Sequence, residues 1–98
     1  MKILLVCSAG MSTSILVDKM RKAAEVQGLE ATIDATAESG LANELGTTNI
    51  ILIGPQVRYL ESKIKSKAEP HGIKVAIIDS MAYGTMNGEK VLQQALAL

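Results

Sequence analysis

The chain has one cysteine, and its neighbours give it a chemical reading. Cys7 follows directly on the apolar run Ile3-Leu4-Leu5-Val6 and opens the small, hydroxyl-rich stretch Ser8-Ala9-Gly10-Met11-Ser12-Thr13-Ser14. An amphipathic helical pattern begins near Ser12. A buried strand running through a tight loop into a helix N-terminus makes an anion site, because successive backbone N–H groups converge there and the helix macrodipole adds positive potential. A thiol placed among such donors is expected to lose its proton easily and to become a nucleophile, so its pKa should be depressed. The chemistry this predicts is attack on, or carriage of, a phosphoryl group by Cys7. Its oxygens would be held by the loop from Ser8 through Ala9, Gly10, Met11 and Ser12 to Thr13. A buried structural cysteine is the plain alternative, since free cysteines are commonly buried. It is disfavoured because Cys7 stands after the apolar run, ahead of a glycine-containing turn.

Other phosphate-binding patterns do not fit. The loop lacks the lysine and second glycine of a Walker sequence, and the glycine spacing of a dinucleotide fingerprint is absent. His71, the only histidine, lies between Pro70 and Gly72 in a turn expected at the far end of the sheet from Cys7. It reads as a solvated loop residue and not as a catalytic base. Lys63, Lys65 and Lys67 read as a solvated helix face.

The elements needed to position Cys7 follow from periodicity. Residues 2–6 read as a strand covered on both faces. Residues 12–27 read as a helix capped by Ser12 or Thr13, with Ile15, Leu16, Met20, Ala23 and Ala24 on its apolar face and Gly28 as its stop. Residues 30–36 alternate weakly, as in an edge strand. Glu38 to Leu45 suggests a short helix. Asn49 to Ile53 is a second apolar strand closed by Gly54-Pro55. Gln56 to Glu69 reads as a helix with Val57, Leu60, Ile64 and Ala68 at helical spacing. Ile73 to Ile78 is a further strand, Asp79 to Gly84 a loop, and Asn87 caps a last helix to about Leu96.

Such alternation implies an α/β fold: a four-stranded parallel open sheet, order 2-1-3-4, with helices on both faces. Ligands of open parallel sheets bind beyond the carboxyl ends of the strands. Those ends carry Cys7, Gly54-Pro55-Gln56 and Asp79-Ser80. Gln56, Asp79 and Tyr83 are therefore candidates for a supporting or partner-contact role, although Asp79 could simply cap a turn and Tyr83 could simply pack.

The bulk composition narrows the class. With 98 residues the chain suits a single domain, 1–98. It is 48% hydrophobic but only 2% aromatic, so the core must be aliphatic. Ten basic residues balance ten acidic ones, which argues against nucleic acid or an anionic membrane as the main partner. One cysteine and one histidine offer neither an internal disulfide nor a metal cluster, and no cofactor is called for. The apolar N-terminal run is too short for a signal peptide or a membrane span, so direct membrane insertion is not expected and a cytoplasmic location is.

Two resemblances sharpen this reading. The cysteine loop is similar to that of the low-molecular-weight tyrosine phosphatases, in which an arginine of the loop grips the phosphoryl group. This resemblance implies a phosphatase-like phosphate-binding loop after strand 1. Thr13 stands where that arginine would be, and Ser14 matches the hydroxyl that follows it. A phosphatase needs the guanidinium fork and an acid for the leaving oxygen, so the loop suits a carrier better than a hydrolase. More specifically, Cys7-Ser-Ala-Gly-Met-Ser-Thr-Ser14, Leu52-Ile-Gly-Pro-Gln56 and Ile78-Asp-Ser-Met-Ala-Tyr83-Gly84 together resemble the IIB component of the lactose/cellobiose (chitobiose) family of the bacterial sugar phosphotransferase system, over essentially the whole chain. The resemblance implies a phosphotransferase in which Cys7 receives phosphate from a phosphohistidine of a IIA protein and passes it to a disaccharide (cellobiose-, chitobiose- or lactose-like) on a IIC membrane permease. It also implies that Ser8 to Thr13 bind the phosphoryl group. Gln56, Asp79 and Tyr83 match other positions of the family without an assigned step. Met11 and Ala82 are expected to contribute to a docking surface around an exposed cysteine. The alternatives are a low-molecular-weight phosphatase or arsenate-reductase-like enzyme, and a regulatory domain that uses modified Cys7 as a signal.

Overall fold

The structure, a computed structural model, describes residues 1–7 and 11–98, with the side chains of Met11 and Ser12 left aside. In chain order the regular elements are β1 (Lys2–Val6), α1 (Met11–Val26), β2 (Thr32–Thr36), β3 (Ile50–Ile53), α2 (Glu61–Ala68), β4 (Lys74–Ile77), α3 (Ser80–Gly84) and α4 (Gly88–Leu96). Tight 3₁₀ turns at Glu38–Asn43, Leu45–Thr47, Pro55–Leu60 and Glu69–His71 complete the connections. The strands form one parallel sheet in the order β2-β1-β3-β4. This is the order expected from the alternation of strands and helices.

Residues of the central strands alternate between two apolar layers, as the two-residue period of a strand requires. Ile3 and Leu5 of β1, with Ile50 and Leu52 of β3, pack beneath α1 and α4 against Leu16, Met20, Val91 and Leu92. Leu4 and Val6, with Ile51 and Ile53, pack on the opposite face against Leu41, Val57, Ile64 and Ala68. The side chains of Ile3, Leu5, Leu52 and Ile53 are wholly buried. Arg21 of α1 ties this helix to the edge strand, donating from Nε to the Ile33 carbonyl (2.9 Å) and from Nη2 to Asp34 Oδ1 (2.8 Å).

Several local features differ from the sequence reading. The segment from Glu38 to Leu45 is two 3₁₀ turns and not an α-helix; Ser39, Gly40 and Asn43 are weak helix formers, and only Leu41 is buried there. The helix read from Gln56 to Glu69 is broken. Val57 leaves helical geometry (φ −118°, ψ 26°), its side chain is buried, and the α-helix begins only at Glu61. Asp79 to Gly84 is no loop: Asp79 caps α3, its Oδ2 accepting from the Ala82 N–H at 2.9 Å. Ile15 is half exposed, and Val17 takes its expected place in the buried stripe of α1. Asn87 caps α4 as expected, its Oδ1 accepting from the Lys90 N–H at 3.1 Å.

The carboxyl end of the outer edge of β4 is capped by a side chain. Gln94 of α4 donates from Nε2 to the Ile77 carbonyl (2.7 Å) and accepts at Oε1 from the Asp79 N–H (2.9 Å). Helix α4 is also held very close to α1. A Cβ on Gly88 would lie 2.6 Å from the Lys19 carbonyl carbon and 2.6 Å from the Met20 nitrogen. Backbone cannot yield that distance without moving a helix. Gly88→Ala is therefore expected to cost about 1–3 kcal/mol, read as a lower urea midpoint. Gly46→Ala, where a Cβ meets nothing within 4 Å, should stay within about 0.5 kcal/mol of wild type. Equal midpoints for the two variants would contradict the close α1–α4 approach.

Candidate functional site

The carboxyl ends of three strands step past one another at one edge of the sheet. The Cys7 N–H donates to the Thr36 carbonyl (3.1 Å), extending the β1–β2 ladder by one residue. Gly54 donates to the Val6 carbonyl and Ile78 to the Ile53 carbonyl, each at 2.8 Å. Cys7 thus continues the odd-numbered side of β1. Its side chain joins the layer beneath α1 and α4, in the packed cluster that also holds Ala82 and Tyr83 of α3.

The thiol is enclosed. Cys7 is 4% exposed and Thr13 5%. Thr13 lies in the first turn of α1, which begins at Met11; the capping expected of Ser12 lies outside the described side chains. The Thr13 hydroxyl hydrogen-bonds Cys7. Gly54 also lies against the sulfur, and its backbone favours the charged thiolate. Burial pushes the Cys7 thiol above its ordinary value, and the Thr13 hydroxyl and Gly54 backbone pull against that without overcoming it. The depressed pKa expected from the sequence is overturned: desolvation of the charged form outweighs the donors.

The other sequence-derived positions divide clearly. Ser8, Ala9 and Gly10, and the side chains of Met11 and Ser12, lie outside the described residues. Gln56 is exposed on the first turn after β3, with its Oε1 beside Gly54. Asp79 is exposed and spends one carboxylate oxygen on capping α3. Tyr83 is a buried member of the core, 9% exposed. Ala82 is also buried, so it cannot face a partner as expected; its neighbour Met81 is 75% exposed. Ile15 and Tyr59, on segments that likewise leave the carboxyl ends of strands, are 49% and 76% exposed. His71 precedes β4, at the amino end of this parallel sheet, away from Cys7. Sequence reasoning brought Gly54-Pro55-Gln56 to the same edge of the sheet as Cys7 but gave Gly54 itself no role; its contact with the thiol arises across the sheet and leaves no trace in local spacing.

A thiol held protonated by burial has a consequence for stability. Its pKa is raised on folding, so the stabilisation is complete below the unfolded thiol value of about 8.5. It is lost as pH rises through the higher folded value. Unfolding free energy should thus fall above about pH 8.5, and Cys7→Ala should flatten that decline. Thr13→Val removes a hydrogen bond to the thiolate and should move the midpoint of thiolate absorbance upward from the wild-type value. A wild-type midpoint below that of an unstructured cysteine peptide, or a downward shift in Thr13→Val, would refute this account of the thiol.

The family model described as PTS system, Lactose/Cellobiose specific IIB subunit matches residues 2–94. An oligo-beta-mannoside-specific EIIB component of Bacillus subtilis (strain 168) is 44% identical over 97 residues, covering 99% of this chain and 94% of that protein. Two solved structures share the fold. The cellobiose-specific phosphotransferase IIB component from Borrelia burgdorferi is 45% identical, with a TM-score of 0.81 over 99% of this chain and 89% of that one. The lactose-specific IIB domain from Streptococcus pneumoniae is 23% identical, with a TM-score of 0.88 over 99% and 95%. The second likeness bears on the fold alone. No helix among the described residues is long and apolar enough to cross a membrane. With its parallel 2-1-3-4 sheet and its cysteine at the end of β1, this chain belongs to the lactose/cellobiose-specific IIB family of the sugar phosphotransferase system.

Proposed function

We propose that the chain is a phosphoryl carrier in which Cys7 takes a phosphoryl group from a phosphohistidine of a IIA protein and passes it to a sugar held by a IIC permease. The observation that carries this reading is the placement of the single cysteine at the carboxyl end of a central strand, beside the Thr13 hydroxyl and the Gly54 backbone, in a chain of this family. In the first step the Sγ–P bond forms as the N–P bond of the phosphohistidine breaks, and the departing imidazole takes up the proton that the thiol releases. Backbone N–H groups and hydroxyls from Ser8 to Thr13 hold the three equatorial oxygens. In the second step a sugar hydroxyl attacks phosphorus as the S–P bond breaks, and the proton that the hydroxyl releases returns the sulfur to the thiol.

The buried thiol fits a carrier. At rest it is protonated and unreactive toward stray electrophiles, so its deprotonation belongs to the transfer event. A thiol of higher pKa is also the stronger nucleophile once ionised and the poorer leaving group, which favours a phosphocysteine that waits for its acceptor. Ile15, Tyr59 and Met81 supply exposed apolar area for docking. Both partners must reach one sulfur, so their footprints overlap and each complex is transient. The work is done at the cytoplasmic face of the permease. The substrate is a sugar of the range its relatives are named for, from galactose to β-linked disaccharides and short oligosaccharides. Relatives of nearly equal identity carry oligo-beta-mannoside and cellobiose specificities, so identity at this level does not select one sugar.

Incubation with phosphorylated IIA, followed by intact mass and peptide mapping, tests the proposal. One phosphoryl group on Cys7 is expected, and none on Cys7→Ser, a nearly isosteric change that should leave the fold intact. Label on His71, or full labelling of the Ser variant, would sink it. Steady hydrolysis of an aryl phosphate by the wild type would favour the phosphatase alternative. None is expected, because Thr13 offers no guanidinium fork.

A further inference from the structure

Gly54 has no conformational reason to be glycine. Its φ of −62° and ψ of 142° are extended values that any residue adopts ahead of a proline. Space is what excludes a side chain. A Cβ built on Gly54 would lie 3.1 Å from Cys7 Sγ, 3.2 Å from Gln56 Oε1 and 3.4 Å from the Val6 carbonyl oxygen. A single point left empty by the glycine is therefore within contact distance of both the thiol and the carboxamide of Gln56. Pro55 fixes the chain between Gly54 and Gln56 at the start of the 3₁₀ turn Pro55–Leu60, so the amide is carried on a stiff corner of backbone.

We infer that Gln56 binds the phosphoryl group on Cys7 through its side-chain amide, and that Gly54 is bare so that no side chain crowds either the sulfur or that amide. This rests on the phosphocysteine reading and adds Gln56 to the groups that hold the phosphoryl oxygens. The terminal torsion of a glutamine side chain is broad and roughly two-fold, so the amide can turn Nε2 toward an anion without strain. The contact is a neutral N–H donor to a phosphoryl oxygen and breaks no covalent bond. It suits a carrier: it orients the group for in-line transfer and, unlike a guanidinium, brings no positive charge to favour attack by water.

The test uses the full chain and phosphorylated IIA as donor, following the rate of labelling and the phosphorus NMR resonance of the phosphocysteine against pH. Gln56→Ala should slow labelling by about 2- to 10-fold, the loss of one neutral hydrogen bond. Gln56→Glu sets a carboxylate against the phosphoryl oxygens. It should slow labelling by more than about tenfold and raise the midpoint of the phosphoryl titration, since like charges oppose ionisation. Gly54→Ala, checked for fold by circular dichroism and melting, should lose at least about tenfold in labelling rate, as a displaced reacting group does. If Gly54→Ala does not fold, Gln56→Glu decides the matter alone, because that side chain is exposed. Slower labelling of Gln56→Glu with an unmoved resonance and midpoint would make Gln56 a docking residue and overturn the inference. Wild-type labelling of a folded Gly54→Ala would also overturn it. A wild type that takes no label on Cys7 would instead remove the carrier reading itself.

Discussion

The candidate site depends on β1 being paired on both sides. Ladders to β2 and β3 fix its register, and the two-residue period then decides where every side chain goes. Ile3 and Leu5 enter the layer beneath α1 and α4; Leu4 and Val6 enter the other. Cys7 extends the ladder by one hydrogen bond to Thr36 and so inherits the direction of Ile3 and Leu5. Aliphatic packing remote from the sulfur thus aims it. A slip of one residue would turn the thiol toward Val57 and Ile64, away from Thr13, and leave an apolar side chain in its place.

The same packing explains the thiol's electrostatics. Apolar neighbours withdraw it from water, and only two identified groups, the Thr13 hydroxyl and the Gly54 backbone, oppose the effect. Sequence motifs advertise donors: a glycine, hydroxyls and a helix start are visible in the letters. They do not advertise desolvation, which is a property of the folded neighbourhood. That asymmetry is why a depressed pKa is the natural expectation from the motif and a raised one is what the structure contains.

Legibility followed the same divide between local and through-space causes. Strand order was readable because apolar runs and helical periods alternate, and parallel connections leave few topologies. The Asn87 cap was readable because the capping side chain is local to its helix. Val57 was misread because its helical spacing is real, yet burial against α2's layer is reached through a break in the helix. Asp79 was read as a turn former, and a turn cap and a helix cap look alike over so short a span. Gly54 carried the faintest mark of all. Its neighbour Pro55 supplies a ready account of a turn, whereas the cause is a sulfur forty-seven positions away in sequence and in contact across the sheet.

Gln94 shows how an open sheet can end. A terminal strand presents unsatisfied peptide groups, and in solution these are an invitation for another chain to add itself. At the carboxyl end of β4 the Gln94 carboxamide offers one donor and one acceptor to Ile77 and Asp79, in the manner of a neighbouring strand's peptide unit. It acts as a decoy: the last rung of the ladder is already taken, by a group that cannot propagate the ladder further. Pairing with another chain is thereby blunted at that end of the strand.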